Sequence, residues 1–337
     1  MTSTSFVPRF PHLFLASLTL AVVPIDLSGV TRAEDKATPV EQAEVDGDSV
    51  IRGKAGESEI VIKTTNRLAG AIDSLTWNGM EFIDNFDHGR QLQSALSFDG
   101  GSQEPFWAER FNPTEAGSRG DHTGDTSTSR LIRLSAADNL LETRVQMAFW
   151  LPPGEKSFGR PALNQTALSN HQLSKQVWIG WKDLPHAIRY ESTFHIVDNE
   201  PHRFAQFEAL TGYMPEHFNQ FLTWDPIENQ LQSVDDGPGE QSLPVVFSTA
   251  NKQHAMAIFC PVGVVDQPKE SGDTKGPTYG RFRFKNEKVV KWNCVFRLRN
   301  QPKIISGDYK FSMFVVAGSL SQVQSTLNEI AGHYSAP

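Results

Sequence analysis

Cysteine is scarce: 337 residues hold two, Cys260 and Cys294, too far apart for a zinc signature. Each sits in a strand-like run (AMAIFC and WNCVFRL). After export, either a disulfide or two buried thiols would fit. Long apolar runs are missing too. Beyond the N-terminus, no segment approaches the ~20 apolar residues that a membrane helix requires. Basic residues are not clustered and the formal net charge is −8, so the electrostatic footprint of a nucleic-acid binder is absent. A nucleotide loop, a Gly-x-Ser-x-Gly elbow and a zincin motif are all missing. Histidines are numerous but lack paired-ligand spacing, and no EF-hand loop occurs. No cofactor is implied; calcium is the one ion to which Asp84, Asp87 and Asp99 could contribute ligands.

What is present points to β structure. Charged residues make up only 21%, while 25 Gly and 20 Pro favour turns over long helices. Aromatics reach 10%, with 22 Phe and 7 Trp, enough for a large core. Residues 1–33 read as a signal peptide: Arg9 gives a positive n-region, residues 13–23 (LFLASLTLAVV) an apolar stretch, and Thr31-Arg32-Ala33 a cleavage site. Residues 34–56 are polar and without period, so a flexible linker is expected there. One domain is expected over 57–337.

Within it, residues 188–196 alternate most clearly, with Ile188, Tyr190, Ser192, Phe194 and Ile196 on one face. Further strands are expected at 141–150, 204–210, 245–248, 255–259, 279–284, 289–298 and 310–317. Only the end looks helical, where Leu320, Val323, Leu327 and Ile330 follow Ser319 at helical spacing. The expected fold class is all-β, a large antiparallel two-sheet supersandwich with a C-terminal helix.

The chemistry concentrates at Asp84–Asp99, DNFDHGRQLQSALSFD. Here Asp87, His88 and Arg90 stand beside Gln91 and Gln93, a density of polar groups that is costly to bury without partners. A concave site that grips hydroxyl or carboxylate groups explains it; a capped turn with a paired Arg is the alternative. A long loop over 100–130 follows, carrying Trp107, Glu109, Asn112, Glu115, Asp121 and His122, and loops of this length are usually functional. Glu208 falls among Phe204, Phe207 and Leu210, where desolvation would raise its pKa as a general acid or base requires. Tyr213 could stack on a ring or donate a proton. Lys175 opens a strand and could reach an acidic ligand.

Gly70–Ile83 (GAIDSLTWNGMEFI) places Asn-Gly between two β-prone runs, a strong hairpin signal. This segment resembles the opening hairpin of the galactose mutarotase-like (aldose 1-epimerase-like) β-supersandwich proteins. In that family a Gly-Arg after the hairpin reaches the sugar, and Gly89-Arg90 falls at a comparable distance. The resemblance covers roughly residues 57–100 by motif. It implies a carbohydrate ligand and the supersandwich fold. The family's His-x-Tyr-Phe-Asn-like acid and its late base Glu have no counterpart motif here. The architecture also recurs in polysaccharide lyase domains and in non-catalytic proteins.

The expected function is therefore that of an exported, periplasmic or extracellular carbohydrate-binding protein acting by acid/base proton transfer, epimerase-like or lyase-like. The alternative is a non-catalytic recognition module. His88, Glu115, Glu208 and Tyr213 are the catalytic candidates. Arg90, Gln91, Gln93, Trp107, Asn112 and His122 are the binding candidates.

Overall fold

The computed structural model describes residues 45–86, 90–197, 200–299 and 302–335. The expected signal peptide, Asp87 and His88 lie outside them. The chain runs through β1 (Ser49–Ala55), β2 (Ser58–Thr64), β3 (Ile72–Trp77), β4 (Met80–Glu81) and β5 (Leu92–Phe98). Then come β6 (Pro113–Thr114), β7 (Arg130–Ala137) and β8 (Leu140–Phe149). A small hairpin, β9 (Lys156–Ser157) and β10 (Arg160–Pro161), precedes the long strands β11 (Leu168–Trp181), β12 (Leu184–Ile196) and β13 (Phe204–Pro215). Shorter strands follow: β14 (Gln220–Asp225), β15 (Gln230–Ser233), β16 (Gly239–Gln241), β17 (Val245–Ser248), β18 (Ala255–Phe259) and β19 (Val264–Asp266). Last come β20 (Lys275–Phe284), β21 (Val289–Arg299), β22 (Gly307–Gly318) and the helix α1 (Leu320–Ser335).

All pairings are antiparallel. One layer runs β1-β2-β3-β5-β13-β21-β20-β16 and the other β7-β8-β11-β12-β22-β18-β17-β14-β15. The layers form one hydrogen-bonded network because β6 pairs with β5 at Thr114 and with β8 at Pro113 and Thr114. Apolar side chains alternate inward and meet between the layers. Phe207 of β13 packs its ring on Phe194 of β12 and on Tyr309 and Phe311 of β22, strands to which β13 is not bonded. Helix α1 covers the outside of the second layer, laying Val323, Leu327 and Ile330 on Phe314, Val316 and Ala257. Its first turn is closed as expected: Ser319 N–H donates to Gln322 Oε1 (2.9 Å), and Gln322 N–H to Ser319 Oγ (3.4 Å).

The Asn78-Gly79 turn forms as read, with φ of 48° and 75° and Trp77 paired to Met80. Glu81 fastens this hairpin, accepting the N–H groups of Leu75 (2.9 Å) and Ile83 (3.0 Å) and the Ser74 hydroxyl. One expectation needs correction. The linker reading of 34–56 fails at its end, because β1 pairs along its whole length with β2. Only Ile51 and Ala55 of that strand point inward, which is why its polar remainder reads as linker. The 100–130 segment is the long loop expected, anchored in its middle where Phe111 and Pro113–Ser118 are buried. Both cysteines are buried free thiols, and Cys260 Sγ donates to Ser312 O (3.2 Å).

Phe207→Ala should cost about 3–5 kcal/mol, since its ring is sealed on all sides and the site is too crowded to collapse fully. Equilibrium urea unfolding will show this as a lower midpoint with an unchanged slope.

Candidate functional site

The face of β13 that looks away from the core owes its composition to a β-bulge. Glu208 faces Ala95 and Thr211 faces Gln93, so Ala209 and Leu210 together oppose Ser94. In a regular strand, positions 208 and 211 point to opposite faces. The extra residue shifts the parity and brings Glu208, Thr211 and Tyr213 to one side. The carbonyl of Ala209 is satisfied by the hydroxyls of Ser94 (2.8 Å) and Ser192 (3.1 Å).

Over this face lies a cavity of about 250 Å³. Gln93 and Ala95 of β5, Glu208, Thr211 and Tyr213 of β13, and Lys291 of β21 form its floor. Glu109, Asn112, Thr114, Trp150, Phe284 and Arg90 wall it. Lys291 Nζ donates to Glu208 Oε2 (3.1 Å) and lies 5.1 Å from the Tyr213 ring centre. Thr211 Oγ1 donates to the same carboxylate oxygen (2.6 Å). Burial alone pushes the Glu208 carboxyl up, but Lys291, Thr211 and Asn293 outweigh it and hold the group below its ordinary value. Burial likewise disfavours the Lys291 cation, yet Glu208 and the Tyr213 hydroxyl push that ammonium up. Glu208 is thus an ionised partner of Lys291. The expectation of a raised pKa is overturned, because the neighbouring strand β21 supplies a cation, Lys291, whose side chain reaches the carboxylate.

Arg90 sits at the mouth, its guanidinium 5.6 Å from the Phe284 ring centre and 3.9 Å from Glu287. Glu109 is half-buried, and among the described residues it makes no hydrogen bond or ion pair. A second cavity of about 510 Å³ shares Arg90, Glu109 and Trp150 with the first. It extends past Arg119, His122 and Lys156 to Phe158.

The structure thus gathers Arg90, Gln93, Asn112, Glu208 and Tyr213 in one cavity and His122 in the next. It separates the others. Glu115 is sealed in the core at 1% exposure, where it pairs with Lys175 and accepts the Ser94 N–H (3.0 Å). Lys175 also donates to Gly70 O (3.1 Å), so neither residue is available to a ligand. Gln91 is fully buried and lines neither cavity. Trp107 stands behind the second cavity, one face under the Arg160 guanidinium (4.3 Å) and its Nε1 donating to Ser157 Oγ (3.2 Å). Glu109, Trp150 and Lys291 were missed. A signal for Trp150 was there: it directly follows β8 on the parity opposite the buried Phe149.

Asp84 N–H bonds Tyr213 O (2.8 Å) and Asp99 N–H bonds Phe204 O (3.4 Å), toward opposite ends of β13 and roughly 30 Å apart at ~3.3 Å per residue, so the two cannot share a calcium ion. Among the described residues, ligand atoms converge instead at His171, Glu200 and His202. Glu200 Oε2 faces His171 Nε2 (3.2 Å) and His202 Nε2 (2.7 Å). The Nδ1 of His171 accepts the Val197 N–H (3.3 Å), which puts its proton on Nε2, toward Glu200. That nitrogen then has no lone pair for a metal, and the cluster fits a hydrogen-bonded clasp better than a metal centre. Burial pushes Glu200 up, but the two imidazoles prevail and bring it to about 2.

No protein-family model matches the chain, and no curated protein matches it. Among solved structures, a galactose mutarotase-like protein from Lactobacillus casei aligns at 9% identity with a TM-score of 0.40, over 80% of this chain and 100% of that one. The α-galactosidase from Lactobacillus brevis aligns at 8% identity and TM-score 0.42, over 83% of this chain and 41% of its own. The 4-α-glucanotransferase from Thermococcus litoralis gives 8% and 0.41, over 80% and 39%. The chain therefore spans about two fifths of those two enzymes. At such values the likenesses assign neither a family nor an activity.

Lys175→Met should destabilise the fold by about 3–5 kcal/mol, because it strands the Glu115 carboxylate in the core. Adding Glu115→Gln should recover much of that loss in the same unfolding titration. Glu200 has a lowered folded-state pKa, so its contribution is present above pH 4.5 and lost as pH falls toward 2. Glu200→Gln should therefore lower the Tm at pH 7 and flatten its decline across that acid window.

Proposed function

We propose that this is an exported carbohydrate-binding protein whose cleft also carries out acid/base chemistry on the sugar. One observation carries the reading. Aromatic side chains of Trp150, Tyr213 and Phe284 line one cavity together with the polar side chains of Arg90, Gln93, Asn112 and Glu109. A sugar ring has that same division, an apolar C–H face bounded by hydroxyls. The hairpin that leads to Gly89-Arg90 supports the same ligand class, and the N-terminal signal-like stretch supports export.

Glu109 takes the place of Glu115 as an acid/base candidate, because it is the carboxylate in the cleft without a cation partner among the described residues. Tyr213, with its hydroxyl beside Lys291, stands as the second proton-transfer group. A second reading, recognition without turnover, is favoured by the Glu208–Lys291 pair. A carboxylate held ionised below its ordinary value is a firm hydrogen-bond acceptor and a weak base.

Calorimetry with galactose, glucose and galacturonic acid should detect saturable binding, and Arg90→Ala should weaken it about tenfold or more through a lost charge-assisted bond. Anomer exchange or unsaturated-product absorbance that disappears in Glu109→Gln identifies an enzyme. Binding without either signal identifies a recognition module. If none of the three sugars binds at millimolar concentration, in monomeric or oligomeric form, the carbohydrate reading is wrong.

A further inference from the structure

The hairpin of β9 and β10 presents Phe158 at its tip, on the rim of the larger cavity. Phe158 has φ 45° and Gly159 φ 79°, the left-handed turn that joins two paired strands most tightly. Asn, Asp or Gly normally occupy the first of these positions, because a bulky side chain at positive φ crowds its own backbone. Phe158 is also 84% exposed. An aromatic ring there is thus unfavourable twice, once in the backbone and once in the water around it. Its one ring neighbour is the edge of Trp107, at 5.7 Å.

The hairpin does not depend on that ring for its position. Trp107 bonds Ser157, Arg160 lies over Trp107, and Arg110 Nε donates to Pro161 O (3.0 Å). Arg119 pairs with Glu155 and donates to Lys156 O (3.1 Å). The turn is held firmly from below while the ring itself is left over the cavity. Strain and exposure retained on a well-anchored element are what a ligand contact would explain.

We propose that the cleft takes a carbohydrate of at least two sugar units, the first in the smaller cavity and the next stacked on Phe158 in the larger. This deepens the carbohydrate reading above and rests on it. The two cavities adjoin, sharing Arg90, Glu109 and Trp150 in their linings, so a glycosidic link would cross at those side chains. His122 and Lys156, both lining the larger cavity, supply donors to the second unit.

The test compares galactose, glucose and galacturonic acid with their di- and trisaccharides by calorimetry. For the sugar that binds, the native protein should gain about tenfold in affinity from monosaccharide to disaccharide, the scale of one aromatic contact. Phe158→Asn should erase that gain, leave the monosaccharide unchanged and keep or raise the Tm, since Asn suits the turn. Phe158→Gly should do the same. Equal affinity for all three lengths, or a disaccharide gain that survives both substitutions, overturns the second subsite while leaving the first intact. No binding at any length overturns the carbohydrate reading itself.

Discussion

Ser94 sits where the two layers and the cleft meet, and its three backbone and side-chain bonds fix all of them at once. Its hydroxyl bonds Ala209 O, its N–H bonds Glu115 Oε2, and its carbonyl accepts the Glu115 N–H (3.1 Å). The first bond satisfies the bulge that turns Glu208 toward the cleft. The other two pin the segment that carries Glu109, Asn112 and Thr114 above it. Lys175 reaches across from the second layer to neutralise Glu115, and Ser192 of that layer adds the second bond to Ala209 O. A buried charge without these partners would be costly, so the network acts together or not at all. Floor and wall of the cleft are set by one node that lines neither cavity.

Much of the fold was legible because its signals are local. Asn78-Gly79 carries its own turn geometry, residues 188–196 alternate cleanly, and Ser319 closes a helix whose apolar stripe is complete in one segment. The boundary at β1 was not legible, because a strand with two inward residues has no period of its own. Its partner, β2, supplies the reason that it is a strand.

The cleft was legible in part, and the failures have one cause. Arg90, Gln93 and Asn112 were found from a local surplus of polar groups. Glu115 shares that surplus, but a lysine 60 positions later decides that it is a core residue. Glu208 was found from its apolar neighbours, yet its ionisation is set by Lys291, 83 positions away. The bulge at Ala209 leaves no mark in the sequence, since alanine fits a regular strand equally well. Long-range pairing therefore decides which acids are exposed and which are charged.

The distribution of carboxylates in the cleft follows from this. Glu208 is deep, paired with Lys291 and bonded by Thr211, so it stays charged and fixed in direction. It orients a hydroxyl well, but releasing its lone pair to a substrate proton would mean giving up the contact with Lys291. Glu109 has no such tie among the described residues, and both cavities open on it. The cleft thus holds one carboxylate tied to a cation and one, Glu109, without a cation partner among the described residues, and the second lines both cavities.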